Sequence, residues 1–153
     1  MPSTAKLISQ LKTDYPQFSF KKSDIFLWSP VEKTICYSDG KNDDYIYILH
    51  ELSHAILDHV DYGHDIELIA MERQAWDEST ELATKYNLLI DNDIIQSSID
   101  TYRDWLHSRS TCPMCEATGL QAKKYTYTCL VCGHTWRVNE AKSCALRRYK
   151  IQK

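Results

Sequence analysis

The chain has 153 residues, 43% of them apolar and 25% charged, with only four Gly and four Pro; this excludes collagenous, low-complexity and disordered readings and leaves one compact domain with room for a small annex. No apolar run approaches the roughly 18 to 20 residues that span a bilayer, and the polar start MPSTAKLISQLK lacks a secretory apolar stretch, so the sequence predicts a cytoplasmic protein without a membrane segment. The net charge of −3 conceals a division: residues 1–102 carry 8 Lys/Arg against 18 Asp/Glu, a net −10, whereas residues 103–153 carry 10 against 3, a net +7. The basic part is the candidate for contact with nucleic acid or another polyanion.

In chain order, Pro2, Ser3 and Thr4 precede the apolar stripe Leu7, Ile8 and Leu11, which predicts a short capped helix ending near Tyr15-Pro16. The segment FSFKKSDIFLWSPVEKTICYSDG is rich in aromatic and β-branched residues and is broken at Ser29-Pro30 and Asp39-Gly40. It reads as two or three antiparallel strands. Asn42 to Asp44 then supply a cap and first-turn carboxylates for a helix, YIYILHELSHAILDHV, that is apolar nearly all round, hence central, with a stop at Gly63. From Asp65 a longer helix stacks Leu68, Ile69, Glu72, Ala75, Trp76, Ser79, Leu82, Ala83 and Tyr86 on one face, and a third runs from about Asn92 to His107 with Ile95, Ile99, Tyr102 and Leu106 inward. A boundary at Ser108 to Thr111 divides residues 1–108 from a module at 109–153.

His50-Glu51-Leu52-Ser53-His54 is an HExxH sequence on the central helix. Residues four apart stand one turn above each other, so both imidazoles can reach one ion while Glu51 addresses a water beside it. A catalytic zinc takes three protein ligands and a water, so a third ligand is required. Glu72 fits, because it lies on the buried face of the next helix, where a carboxylate without compensation is costly. The alternative ligand is His64, in the Gly63-His64 turn. Leu57 and Val60 stand where a metzincin would need its Gly and third His, which excludes that pattern. Asp58, one turn beyond His54, is a candidate to orient that imidazole, and His59, Tyr62 and His64 are candidate oxyanion stabilisers.

Six cysteines suggest metal or reduced thiols. Cys112-Pro-Met-Cys115 and Cys129-Leu-Val-Cys132, separated by 13 residues, predict a four-cysteine structural zinc site in a zinc ribbon whose strands are KKYTYTCLV and HTWRV. Two zinc ions per chain are therefore expected, one catalytic and one structural. Lys123, Lys124, Arg137, Lys142, Arg147, Arg148 and Lys150, with Tyr125, Tyr127, Trp136 and Tyr149 between them, could grip phosphates and stack on bases; in so small a module aromatics more often form the core, and docking to a protein is an equal alternative. Cys36 falls on a strand, and Cys144 is an unpaired tail thiol.

Residues 20–107 resemble the ImmA/IrrE family of metallopeptidases through the aromatic hairpin IFLWSPVEKTICY, the helix LHELSHAILDH and the helix ERQAWDESTELA. That resemblance implies an α+β, gluzincin-like fold with a small antiparallel sheet and HExxH on the central helix, His50, His54 and Glu72 as zinc ligands, Glu51 as base, and action on DNA-bound repressors of phages, mobile elements or stress responses. A zinc ribbon behind HExxH is also similar to SprT-like proteases, which act on proteins attached to DNA and whose third ligand is a His; that would promote His64. The expected function is a zinc endopeptidase cleaving a protein substrate. A non-catalytic adaptor, with both zinc ions structural, is the rival.

Overall fold

The computed structural model describes residues 3–138 as an α+β chain of four helices and two three-stranded sheets. The described residues divide into two units, 3–60 with 73–92 and 61–72 with 93–138.

In the first unit, α1 (Thr4–Asp14) is capped by Ser3, whose hydroxyl accepts the Lys6 N–H, and it buries Leu7, Ile8 and Leu11. Three short strands follow: β1 (Ser19–Lys22), β2 (Leu27–Ser29) and β3 (Thr34–Tyr37). The expected all-antiparallel arrangement is not found. The order is β1-β3-β2, with β2 antiparallel to β3 but β1 parallel to it. Alternation of apolar residues marks strands without giving their direction. Here β3 slots between its two predecessors, which run opposite ways, so one of its pairings must be parallel. The insertion places Phe20, Ile35 and Trp28 in one row across the sheet, all buried. Burial of each such side chain stabilises the fold by roughly 1.5 to 3 kcal/mol.

Against β2 and β3 packs α2 (Asp44–Ile56), whose Ile46, Ile48, Leu49, Leu52 and Ala55 are all buried. It stops well short of Gly63. Asp58 adopts a left-handed backbone (φ 57°), its N–H donating to Ala55 O at 3.1 Å and the His59 N–H to His54 O at 3.0 Å. These two bonds define a Schellman stop, with Asp58 in the place glycine usually takes. A short polar side chain tolerates this conformation, and the apolar pattern that continues past it gives no warning. The next helix, α3 (Asp65–Lys85), is one continuous rod whose residues from Arg73 onward belong to the first unit. There Ala75, Trp76, Ser79, Leu82 and Ala83 are buried at the spacing expected from sequence.

The second unit contains the start of α3, α4 (Asn92–Ser110) and the antiparallel sheet β4 (Leu120–Lys123), β5 (Thr126–Thr128) and β6 (Thr135–Arg137). Leu68, Ile69 and Tyr102 form its helical core, flanked by Tyr62, Trp105 and Leu106. A buried polar cluster binds α3, α4 and the sheet. Asp65 Oδ2 accepts from Arg109 Nε at 2.9 Å and from the Tyr127 hydroxyl at 2.7 Å, while the Asp65 N–H donates to Gln121 Oε1 at 2.6 Å. The Trp136 indole donates to Arg109 O at 2.9 Å, and a Cβ on Gly119 would lie 2.5 Å from that ring, so only glycine allows the approach. No helix among the described residues is long and apolar enough to cross a membrane.

Candidate metal centres

Of the metal-ligating residues, two groups converge among those described: His50 with His54 and Glu72, and the four cysteines 112, 115, 129 and 132. Both could hold a metal ion.

In the first group all three residues are buried and their ligand atoms lie within 4.8 Å of one another. The i, i+4 spacing on α2 brings His50 Nε2 and His54 Nε2 to 3.2 Å. Two nitrogens bound to one tetrahedral zinc at about 2.05 Å would sit about 3.3 Å apart, so the donor set fits such an ion. Glu72 is only 1% exposed, on the face of α3 that also carries Trp76 one turn later; that indole stacks on the His50 ring at 4.0 Å and holds it flat. Ser53 and Ser79, both fully buried, meet Oγ to Oγ at 2.9 Å, and each Oγ lies 2.7 Å from the carbonyl one turn back in its own helix, so two hydroxyl protons serve three contacts. Small hydroxyls at this point let α2 and α3 run close together.

Glu51, 4% exposed, is fixed by the Trp28 backbone N–H, which donates to its Oε1 at 2.9 Å from strand β2. His64, the alternative ligand, is exposed and lies outside the group. Its backbone N–H and that of Gly63 donate to Glu67 Oε1, at 3.2 and 2.7 Å, which closes the first turn of α3 and holds the Glu67 carboxyl below its usual range. Asp58 does not take the orienting role expected of it, because its left-handed, exposed position serves the helix stop. The group against His54 is His59 instead, with Nδ1 to Nδ1 at 2.9 Å. Sequence reading missed His59 in this position, along with Trp28 and Trp76. The Glu72-to-Trp76 spacing was the available signal for the last; His59 is placed by the stop at Asp58, which the sequence does not mark.

The four-cysteine group consists of two equivalent knuckles. In each, the N–H of the residue after the second cysteine donates to the carbonyl of the first, from Glu116 to Cys112 at 2.9 Å and from Gly133 to Cys129 at 3.0 Å. Both donors have positive φ, 67° and 80°, a backbone that suits Gly133 and strains Glu116. Sulfur pairs across the knuckles, Cys112–Cys132 at 3.6 Å and Cys115–Cys129 at 3.5 Å, are far beyond a disulfide bond and close to the about 3.8 Å spacing of two thiolates on one tetrahedral zinc. Amide donors prepare one sulfur in each knuckle. The N–H groups of Cys132 and Val131 outweigh burial and bring the Cys129 thiol down to about 6. Burial pushes Cys112 up, but the N–H groups of Cys115 and Met114, with the sulfurs of Cys132 and Cys115, together leave it below its ordinary value.

Around this cluster the aromatics are mainly core. Tyr127 is buried, and Trp136 lies half-buried between Tyr127 and His134, parallel to both at 5.8 and 6.0 Å. Lys123, Lys124 and Arg137 are exposed; Lys124 pairs with Asp61 at 3.2 Å and stands over Tyr62. Lys142, Cys144, Arg147, Arg148, Tyr149 and Lys150 lie outside the described residues. Compared with known proteins, the chain matches no family model, no curated protein and no solved structure.

Proposed function

We propose that the chain is a zinc-dependent endopeptidase of the gluzincin type that carries a second, structural zinc in a C-terminal zinc ribbon. The observation behind this reading is the convergence of two imidazoles and one carboxylate, all buried, next to a glutamate anchored by a strand N–H. A purely structural site has no use for a fixed carboxylate beside the ligands. The cysteine cluster offers four sulfurs and is closed, which is the donor set of a structural zinc.

A zinc ion on the His/Glu donor set supplies Lewis acidity, polarising a peptide carbonyl and making water acidic near neutral pH. The rest of the chemistry falls to the chain. Trp28 N–H donates to Glu51 Oε1 and holds this carboxylate in place, and the carboxylate takes the proton from the attacking water. The water oxygen bonds to the carbonyl carbon, the C–N bond breaks, and the proton held on Glu51 passes to the leaving nitrogen. Trp76 and the buried walls of α2 and α3 keep the imidazoles in one orientation throughout.

For the substrate, the ImmA/IrrE resemblance of residues 20–107 supports a DNA-bound repressor or other regulator in a phage, mobile-element or stress-response setting, in the cytoplasm. The glutamate in the ligand group favours this over the SprT-like alternative, which would use His64. Exposed Lys123 and Arg137 support a nucleic-acid contact by the ribbon that brings the enzyme to such a nucleoprotein. The test is a cleavage assay on repressors encoded beside this chain, with metal analysis. Two zinc ions per chain are expected in the parent and in Glu51→Gln, with cleavage reduced about 100- to 10,000-fold in the variant. Undiminished cleavage by Glu51→Gln would overturn Glu51 as the base, and a parent that binds both ions and cuts nothing would leave the adaptor reading standing.

A further inference from the structure

We propose that His59, with Gln74 behind it, is a positioning residue that fixes the tautomer of His54 and so turns a lone pair, rather than a proton, toward the His/Glu centre. This inference rests on metal binding at that centre and is independent of peptide cleavage.

The geometry begins with the end of α2. In a Schellman stop, the residue two beyond the cap folds back over the residue whose carbonyl its N–H binds, and the side-chain contact there is ordinarily apolar. In this chain those two residues are His59 and His54, and the contact is between their Nδ1 atoms at 2.9 Å. A hydrogen bond between two imidazole nitrogens needs one N–H and one lone pair, so the two rings cannot choose tautomers independently. Gln74 breaks the tie. Its Oε1 lies 2.9 Å from His59 Nε2, and a carbonyl oxygen only accepts, so His59 carries its proton on Nε2 and presents a lone pair at Nδ1. His54 must then donate from Nδ1, which leaves the lone pair of His54 Nε2 facing His50 Nε2 at 3.2 Å. With the opposite sense, a proton on His54 Nε2 would stand where a cation must bind.

The relay is held at several points. The His59 N–H is bonded to His54 O, and the His59 carbonyl accepts the Trp28 indole N–H at 3.1 Å. Trp28 thus serves the site twice, gripping Glu51 through its backbone and His59 through its ring. Partners of this kind on ligating imidazoles are worth about 10- to 100-fold in metal affinity.

The experiment uses the full chain and zinc alone. Long-range proton–nitrogen correlation spectra of the zinc-free protein should show His54 protonated at Nδ1 and His59 at Nε2. Competition against a fluorescent chelator should show His59→Leu weakening zinc at the His/Glu centre about 10- to 100-fold, while the zinc held by the cysteines is unmoved. His59→Asn, which keeps an acceptor near the old Nδ1, should recover most of that loss. Gln74→Leu, at an exposed position that leaves folding intact, should weaken zinc severalfold, whereas Gln74→Glu, which can only accept, should not. A His54 proton on Nε2 in the parent, or zinc affinity unchanged in both His59→Leu and Gln74→Leu, overturns this inference alone. A parent that takes up no zinc at His50 and His54 overturns it together with the proposed function.

Discussion

Around His50 and His54 the donors are held by packing: a stacked indole, a strand N–H on the neighbouring glutamate, and two serines that set the distance between helices. Around the four cysteines little apolar material is available. Met114, Leu130 and Val131, at the tips of the knuckles, are 70% to 76% exposed, and three strands of three or four residues carry the sheet. The first region has a fold into which a site is set; in the second, a metal on the four cysteines would be a large part of what holds the fold. The lesson is that ligand chemistry alone does not tell whether a metal organises a protein or is organised by it. The surrounding burial does.

The strongest way to break this contrast is to remove one ligand from each centre. Cys129→Ser should release one zinc and unfold residues 111–138, since structural zinc sites in small modules supply on the order of 10 kcal/mol of folding free energy. His50→Ala should also release one zinc yet leave the amide spectrum of α1, β1–β3 and α2 essentially in place. If both variants unfold their regions alike, the contrast fails.

A smaller effect is expected at Asp65, because a buried ion pair also links the start of the cysteine module to α3. Its carboxylate and the Arg109 guanidinium have side chains only 3% and 6% exposed, and breaking a buried pair of this kind costs about 3 to 5 kcal/mol. Asp65→Ala should therefore lower the urea midpoint of the second unit while zinc stays bound to the cysteines; loss of that zinc would show that the cluster and the ion pair are one device.

Smaller still is the contribution of Tyr127, whose hydroxyl is pushed well above its ordinary value, first by burial and then by its bond to Asp65. A group protonated more firmly in the fold than in the unfolded chain stabilises fully below the unfolded value of about 10, and the benefit drains away as pH climbs further. Tyr127→Phe should cost about 1.5 to 3 kcal/mol at neutral pH and should flatten the stability loss between pH 10 and 11, as read by urea titration. An unchanged alkaline slope would detach Tyr127 from the cluster.

Much of the fold and of both candidate centres was readable because it depends on spacing within a single element. The i, i+4 pair His50 and His54, the face of α3 that buries Glu72 with Ala75 and Trp76, and the doubled CxxC are local patterns. What escaped depends on encounters between elements. The parallel pairing of β1 with β3 is a choice of neighbour, and alternation in FSFKK is the same in either direction. The stop of α2 at Ile56 lies inside an apolar run that continues through Leu57 and Val60, so only the backbone of Asp58 reveals it. Arg109 fell at the expected boundary of the two modules, and its role escaped because its partner, Asp65, is 44 residues away.

The contact between Ser53 and Ser79 carries a consequence for how this sequence can drift. Neither residue is a candidate metal ligand, yet the pair is a point where α2 meets the part of α3 that lies beyond Glu72, so its bulk bears on how those two helices pack. A methyl or two added at either position would jack the rods apart with no donor altered. Inheritance should therefore guard these two modest hydroxyls as jealously as the histidines themselves.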